Sequence, residues 1–354
     1  MESEGRIYMR VILPEELEGL GPWIEQLLAE SLGKVDEKGR NRGIVPVLER
    51  DYDSTTIPQV YNENSFVLRI KLGETDERDS FMEEVKATGV PVWEMRVNSP
   101  QEAVGSLYLL EFATGMAGVL MGIDPFNQPG VEAGKQATRE MKDKIEKMVK
   151  KGRSLEEAYQ QVVKSYQTPY RLQIAEGVYL DYGEFMKAAG DEFLEFLKAK
   201  GKTIKDVNET PQELYSLILA FAKEKGKTYG AILPYAKETP ERAQVWSIAR
   251  GALRKVGLQD VFGIGPVYEH SLRQYLQEGP DTGIPTFIVV NDPGKQVIPG
   301  DPIKGFTCGM QNALQALGTQ QALSRAGRYT LRIEVEDPLT SEKLDAIREF
   351  FESI

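Results

Sequence analysis

The sequence predicts an α/β protein with mainly parallel sheets, organised as two domains. Strand-like runs of four to eight residues alternate with helical patterns of ten or more residues, and that spacing requires crossover connections. The chain is 354 residues long, more than one small core accommodates. Hydrophobic residues make up 41% and charged residues 27%, an ordinary globular composition that excludes disordered and fibrous classes.

Taken in order, Arg6–Leu13, Ile44–Leu48, Ser65–Leu72 and Val92–Asn98 are rich in Val, Ile and aromatic residues and read as strands. Helical patterns over Leu20–Leu32 and Arg78–Lys86 lie between them. Ser99-Pro100-Gln101-Glu102 is a capping box with proline at the first helical position, so the apolar helix after it starts there. Ser154-Leu155-Glu156-Glu157 and Thr210-Pro211-Gln212-Glu213 repeat that signature. A basic helix runs from about Gly130 to Lys151. Beyond Thr168-Pro169 the alternation restarts: strands at Arg171–Tyr179, Gly230–Pro234, Phe287–Val290 and Tyr329–Val335, helices at Glu184–Lys198, Pro240–Val256, Met310–Arg325 and Ser341–Ser353. The two α/β units are expected to meet near residues 152–170, giving domains 1–160 and 161–354. Val35–Arg40, continuing into Asn41 and Arg42, reads as a polar loop.

Charge and rare residues narrow the chemistry. With 43 basic and 54 acidic residues the net charge is −11, which disfavours non-specific binding to nucleic acid or anionic lipid. The chain holds one cysteine, Cys308, and one histidine, His270, so zinc sites built on two or more Cys or His ligands are excluded. Met1–Arg6 is acidic and lacks a signal-peptide pattern, and a cytosolic location is expected. Val104–Ile123 is apolar enough to span a bilayer but reads as a central helix buried all round, with Gly115, Gly118 and Gly122 admitting close neighbours. Gly263 and Gly265 do not form a dinucleotide-binding Gly-x-Gly-x-x-Gly, because Tyr268 takes the third position.

Two segments carry candidate chemistry. In Trp23–Lys34, Leu20, Trp23, Ile24, Leu27, Leu28 and Ser31 share a helical face and Gly33 is a natural C-cap. Glu30 stands at the edge of that face in the last turn, where the helix dipole and an apolar wall both favour the neutral carboxyl and so a base usable near neutrality. Gln26 is one turn earlier on the same side. An amphipathic helix with a boundary glutamate has the same spacing. In Asp124–Lys135, two prolines and a glycine fix a turn at a helix start, whose free N–H groups favour an anion. Lys135 follows about two turns in. A rigid turn before a solvated basic face, with Lys142, Lys144, Lys147 and Lys150, fits that pattern too.

Together the two segments resemble a known family. Glu30-Ser31-Leu32-Gly33-Lys34 is similar to the Glu-Ser-x-Gly-Lys signature of phosphoglucose isomerases, and Pro125–Lys135 to their Phe-Asp-Gln-x-Gly-Val-Glu-x-x-Lys signature, with Asn127 in place of aspartate. The resemblance is closest to the isomerase half of bifunctional transaldolase–phosphoglucose isomerases. It extends through Gly265–Gln274 and Gln277–Gly283, covering about residues 10 to 335. It implies a three-layer αβα sugar-isomerase (SIS)-type domain followed by a second α/β domain.

The implied activity is glucose 6-phosphate/fructose 6-phosphate isomerisation, with no metal or organic cofactor, because the substrate supplies its own carbonyl. By resemblance Glu30 matches the base that moves a proton between C1 and C2, and Gln26 and Gln128 line the sugar phosphate. Lys135 matches the family's lysine that assists ring opening. His270 matches the histidine of a Leu-His-Ser-x-Gly-Gln motif implicated in opening the pyranose, with Glu269 replacing the leucine and Arg273 the glycine. The family's first SIS domain, with its Ser/Thr-rich phosphate loop, and its Gly-Gly-Arg segment find no match. The chain alone is therefore expected to be weakly active or inactive. A non-catalytic sugar-phosphate-binding module and one subunit of a split isomerase are the alternatives, and the family implies a homodimer.

Overall fold

The structure is a computed structural model describing residues 5–40, 43–127, 131–291 and 294–354, without the side chains of 131–133. Asn41, Arg42 and Gln128, singled out above, lie outside the described residues. In chain order the elements are β1 (Tyr8–Ile12), α1 (Gly21–Leu32), β2 (Val45–Leu48), α2 (Ile57–Val60), β3 (Ser65–Leu72), α3 (Asp79–Ala87), β4 (Val92–Val97) and α4 (Pro100–Met121). Next come α5 (Val131–Lys150), α6 (Leu155–Lys164), β5 (Arg171–Ala175), β6 (Val178–Asp181), α7 (Gly183–Ala199), α8 (Ile204–Val207), α9 (Pro211–Glu224) and β7 (Tyr229–Tyr235). The remainder are α10 (Pro240–Lys255), β8 (Gln259–Phe262), α11 (Leu272–Glu278), β9 (Gly283–Asn291), α12 (Cys308–Arg325), β10 (Leu331–Glu336) and α13 (Ser341–Glu352). The alternation expected from sequence is present, and the class is α/β with mainly parallel sheets.

Contacts divide the chain into two compact units. One comprises Met1–Gly130, Leu253–Phe262 and Val267–Asp281; the other comprises Val131–Ala252, Gly263–Pro266 and Thr282–Ile354. This division is discontinuous in sequence and does not coincide with the expected 1–160 and 161–354 domains. Its first break precedes α5, because α5 packs on α12, where Thr138 Oγ1 donates to Leu314 O at 3.4 Å.

The first unit is built on a parallel sheet of order β2-β1-β3-β4. β1 and β3 are buried nearly throughout, as strands covered on both faces are. Met9, Val11, Phe66, Leu68 and Ile70 pack with Ile24, Leu28 and Leu32 of α1 and Leu110 of α4 on one face. Ile12 and Val67 pack with Ile57 and Val60 of α2 and Phe81, Met82 and Val85 of α3 on the other. That is the three-layer αβα arrangement.

Residues 253–262 join this unit through buried charge. Arg10 Nη2 donates to Glu49 Oε2 at 2.8 Å and Asp260 Oδ1 at 3.1 Å, and its Nη1 to Gln259 Oε1 at 2.8 Å. Arg254 Nη2 donates to Glu49 Oε1 at 2.6 Å and pairs with Asp260 Oδ2 at 2.9 Å. All four charged side chains are buried, with two positive charges against two negative. Such a set is tolerated because each charge meets an opposite one at hydrogen-bonding distance.

α4 starts where expected: Ser99 accepts from Glu102 N at 3.1 Å, although the Glu102 carboxylate turns to Asn98 N at 2.9 Å. Gly122 closes it in the left-handed region, φ 68°, which a glycine enters without Cβ strain. The expectation that this helix is buried all round is corrected. Tyr108 is 74% exposed, Phe112 64% and Val119 73%, and Glu111 is exposed among them. A Cβ at Gly115 would meet nothing, so that glycine admits no close neighbour. Apolar composition fixes helicity but not which face a neighbour covers. Beneath α4 lies a cavity of about 420 Å³, walled by residues including Met9, Leu28, Phe66, Trp93, Ala113 and Leu120. Among the described residues α4 alone is long and apolar enough to cross a membrane by length and composition.

In the second unit the strands run β5-β6-β10-β9-β7, with β10, β9 and β7 parallel and β5-β6-β10 antiparallel. The single strand expected over Arg171–Tyr179 is a hairpin, turning at Gly177 with φ 71°. Phe185, Phe193, Phe196 and Phe221 form an edge-to-face aromatic cluster under α7 and α9.

Candidate active site

Helix α1 carries the first candidate residues. Pro22 sits in its first turn, and Gly33 ends it by donating its N–H to Ala29 O at 3.1 Å. Gly33 has φ −77°, so its value here is space: a Cβ would lie 2.3 Å from Ala29 O and 3.1 Å from Tyr275 Cβ. Ile24, Leu28 and Leu32 face the sheet. Gln26 is exposed and Glu30 half-buried, and the Gln26 amide Nε2 lies 3.4 Å from Glu30 Oε1, a long hydrogen bond. The i, i+4 spacing therefore brings these two together as expected.

Lys34, two residues past the helix, joins the two motifs. Its Nζ donates to Asp124 O at 2.7 Å and also to Asn127 O. Burial lowers the Lys34 pKa, while the charges of Asp124 and Glu30 pull it back. Glu37 N adds a bond to Gly122 O at 3.4 Å. The polar loop that follows is ordered by Asp36, whose Oδ1 accepts from Lys38 N at 2.9 Å and Arg40 N at 2.8 Å. The sequence reading gave Lys34 no role, though its place within Glu-Ser-Leu-Gly-Lys marked it.

The buried carboxyl of α1 is Glu25, not a residue singled out from sequence. Glu25 Oε1 accepts from Ser271 Oγ at 3.0 Å, and burial pushes its pKa up to about 7, against the opposing Ser271 bond and Arg50 charge. A glutamate next to Ile24 and three residues before Leu28 lies inside the apolar stripe, and that was its readable signal. Ser271 Oγ also lies 3.3 Å from Tyr268 O, and the residue stands at the N-cap position of α11 without a side-chain capping bond. His270 precedes it, exposed at the end of the 3-10 turn Val267–His270. The Glu25–Ser271 bond thus holds the His270 segment against α1.

Within α11, Arg273 and Gln274 are 1% and 2% exposed. Arg273 Nη1 stands 3.6 Å from Glu269 Oε2, while its Nε and Nη2 and both amide atoms of Gln274 have no hydrogen-bond partner among the described residues. Lys135 is exposed on α5, in the second unit.

No family model matches the chain. It is 32% identical over 168 residues to a glucose-6-phosphate isomerase of Rubrobacter xylanophilus, covering 38% of this chain and 39% of that protein. It is 30% identical over 167 residues to a probable glucose-6-phosphate isomerase of Haloarcula marismortui, 39% of this chain and 38% of that one. A 51-residue stretch, 13% of this chain and 11% of the relative, is 57% identical to a glucose-6-phosphate isomerase of Limosilactobacillus reuteri. The chain thus spans about two fifths of the length of the first two relatives. Among solved structures, a glucose-6-phosphate isomerase from Chlamydia trachomatis overlaps 99% of this chain and 64% of its own at TM-score 0.32 and 13% identity, too loose an overlap to bear on topology. The sequence similarities support a relationship to the glucose-6-phosphate isomerase family.

Proposed function

We propose that this chain belongs to a sugar-phosphate aldose–ketose isomerase acting on glucose 6-phosphate and fructose 6-phosphate. The observation that carries the reading is the Gln26–Glu30 pair at the end of α1, with Lys34 tying the same turn to Asp124 and Asn127. Glu30 takes the proton from C2 of the open-chain aldose and returns it to C1, passing through an enediol, so the reaction is balanced without a co-reactant. Gln26 holds the carboxylate and faces a substrate hydroxyl. Gln128 and Lys135 contact the substrate, and His270 assists ring opening.

No metal or organic cofactor is needed for this proton transfer. The exposed apolar face of α4 supports assembly with a second copy or with a partner chain that carries the phosphate loop, in a cytoplasmic enzyme. The isolated chain is then weakly active or inactive.

A coupled isomerase assay on purified protein, with calorimetric titration of fructose 6-phosphate, tests this. Binding together with slow turnover that Glu30→Gln abolishes supports the reading. Turnover untouched by Glu30→Gln removes Glu30 as the base, and absence of both binding and turnover removes the function.

A further inference from the structure

We propose that Glu25 is a positioning residue for His270: its carboxyl grips Ser271 and so holds the adjacent histidine in place beside the helix that carries Glu30. The inference rests on the isomerase reading and adds to it a residue outside both sequence motifs. Three observations carry it. Glu25 is buried on α1 next to Ile24, where an aliphatic side chain would pack without losing hydration, so its carboxyl has to be answered by a partner. That partner is Ser271 Oγ at 3.0 Å.

Ser271 stands at the N-cap of α11, where a serine ordinarily accepts from a backbone N–H two or three residues on. No such bond is made, and the hydroxyl turns to Glu25 instead. A local rule given up for a distant contact points to a functional demand on that contact. The third observation is that α11 is held along α1 at both ends. At its far end Val35 N donates to Glu278 O at 3.3 Å, and a Cβ on Gly33 would stand 3.1 Å from Tyr275 Cβ. The near end, next to His270, is tied by the Glu25–Ser271 bond. Along the axis of α1 that bond lies about 7.5 Å before Glu30, so a rigid helix carries its placement of His270 to the base. Both groups act on one sugar, Glu30 at C1 and C2 and His270 at the ring oxygen. A displacement of about 1 Å between such groups costs about a hundredfold in rate.

His270 is the one histidine of the chain, so its imidazole gives proton resonances that need no assignment. At constant pH, Glu25→Ala should narrow those resonances and move them toward their positions in the urea-unfolded chain. Amide exchange at 267–272 should quicken about tenfold or more, while 276–279 stays within about threefold of wild type. Glu25→Gln, which keeps an acceptor for Ser271, should restore both. In the isomerase assay Glu25→Ala should lower kcat about tenfold to a hundredfold with KM within about twofold, and should add nothing to the loss caused by His270→Ala. If Glu25→Ala does not fold, Ser271→Ala breaks the same bond from the other side and is read in the same way. Resonances and exchange left unmoved by these variants overturn the proposal whatever the turnover, and so do losses that simply add in the double variant. Absence of turnover in wild type, with the resonances moved, removes the isomerase reading alone and leaves the hold of Glu25 on His270 standing.

Discussion

Lys34 Nζ lies 2.7 Å from the main-chain oxygen of Asp124, so a side chain from the end of α1 caps the turn that follows α4. A charged donor on part-buried carbonyls contributes about 1.5–3 kcal/mol. Lys34→Met should destabilise the protein by roughly that amount, and hydrogen exchange should quicken first at residues 122–127. Unchanged protection there would remove Lys34 as the tether.

Glu25 makes stability depend on pH in an unusual direction. Its folded pKa, about 7, is above the ordinary 4.5, so the native state holds a proton the unfolded chain releases. The contribution is full below about pH 4.5 and is lost as pH rises through about 7, worth about 3 kcal/mol at most. Glu25→Gln keeps an acceptor for Ser271 and removes the ionisation. Urea titrations should find the variant close to wild type at acid pH and more stable at pH 8. Equal stability at pH 8 would contradict this.

The cluster of Arg10, Arg254, Glu49 and Asp260 is sensitive to the loss of one member. Arg10→Met leaves buried carboxylates undercompensated and should cost about 3–5 kcal/mol. Because the pairs are dry, added salt should change that loss little, unlike a surface pair. Denaturant midpoints at low and high salt check both statements.

The cavity under α4 offers room for a larger side chain. Ala113→Leu should raise stability by about 1 kcal/mol, read as a higher urea midpoint. Wild type, with apolar α4 face and cavity accessible, should enhance the fluorescence of an anilinonaphthalene dye under native conditions, and the variant should do so less.

What was legible in the sequence was local. β3 spans Ser65–Leu72 as expected, since a run of β-formers bounded by turn residues needs no distant partner. Ser154 and Glu157 cap α6 reciprocally, as their spacing requires, whereas Thr210 starts α9 without a side-chain bond. Gln26 and Glu30 meet because helical spacing guarantees it. The rest depended on packing. Burial of Glu25 follows from Ser271, 246 residues away. The exposure of Tyr108 and Phe112 reflects what does not cover α4, and no periodicity reports that. Gly177 splits a strand because the chain there can turn in the left-handed region, a property shared by glycines that do not turn.

The salt bridge between Arg10 and Asp260 joins residues 250 positions apart. On the ribosome, at about 5–20 residues per second, Arg10 of β1 therefore waits tens of seconds for Asp260, the second of its two carboxylates. Once β4 has emerged, the first sheet has its strands and Glu49 but not Arg254 and Asp260, while the whole of 131–252 is synthesised. Synthesis order thus completes the N-terminal unit at Asp281 and leaves the second unit, whose sheet needs β9 and β10, the last to close.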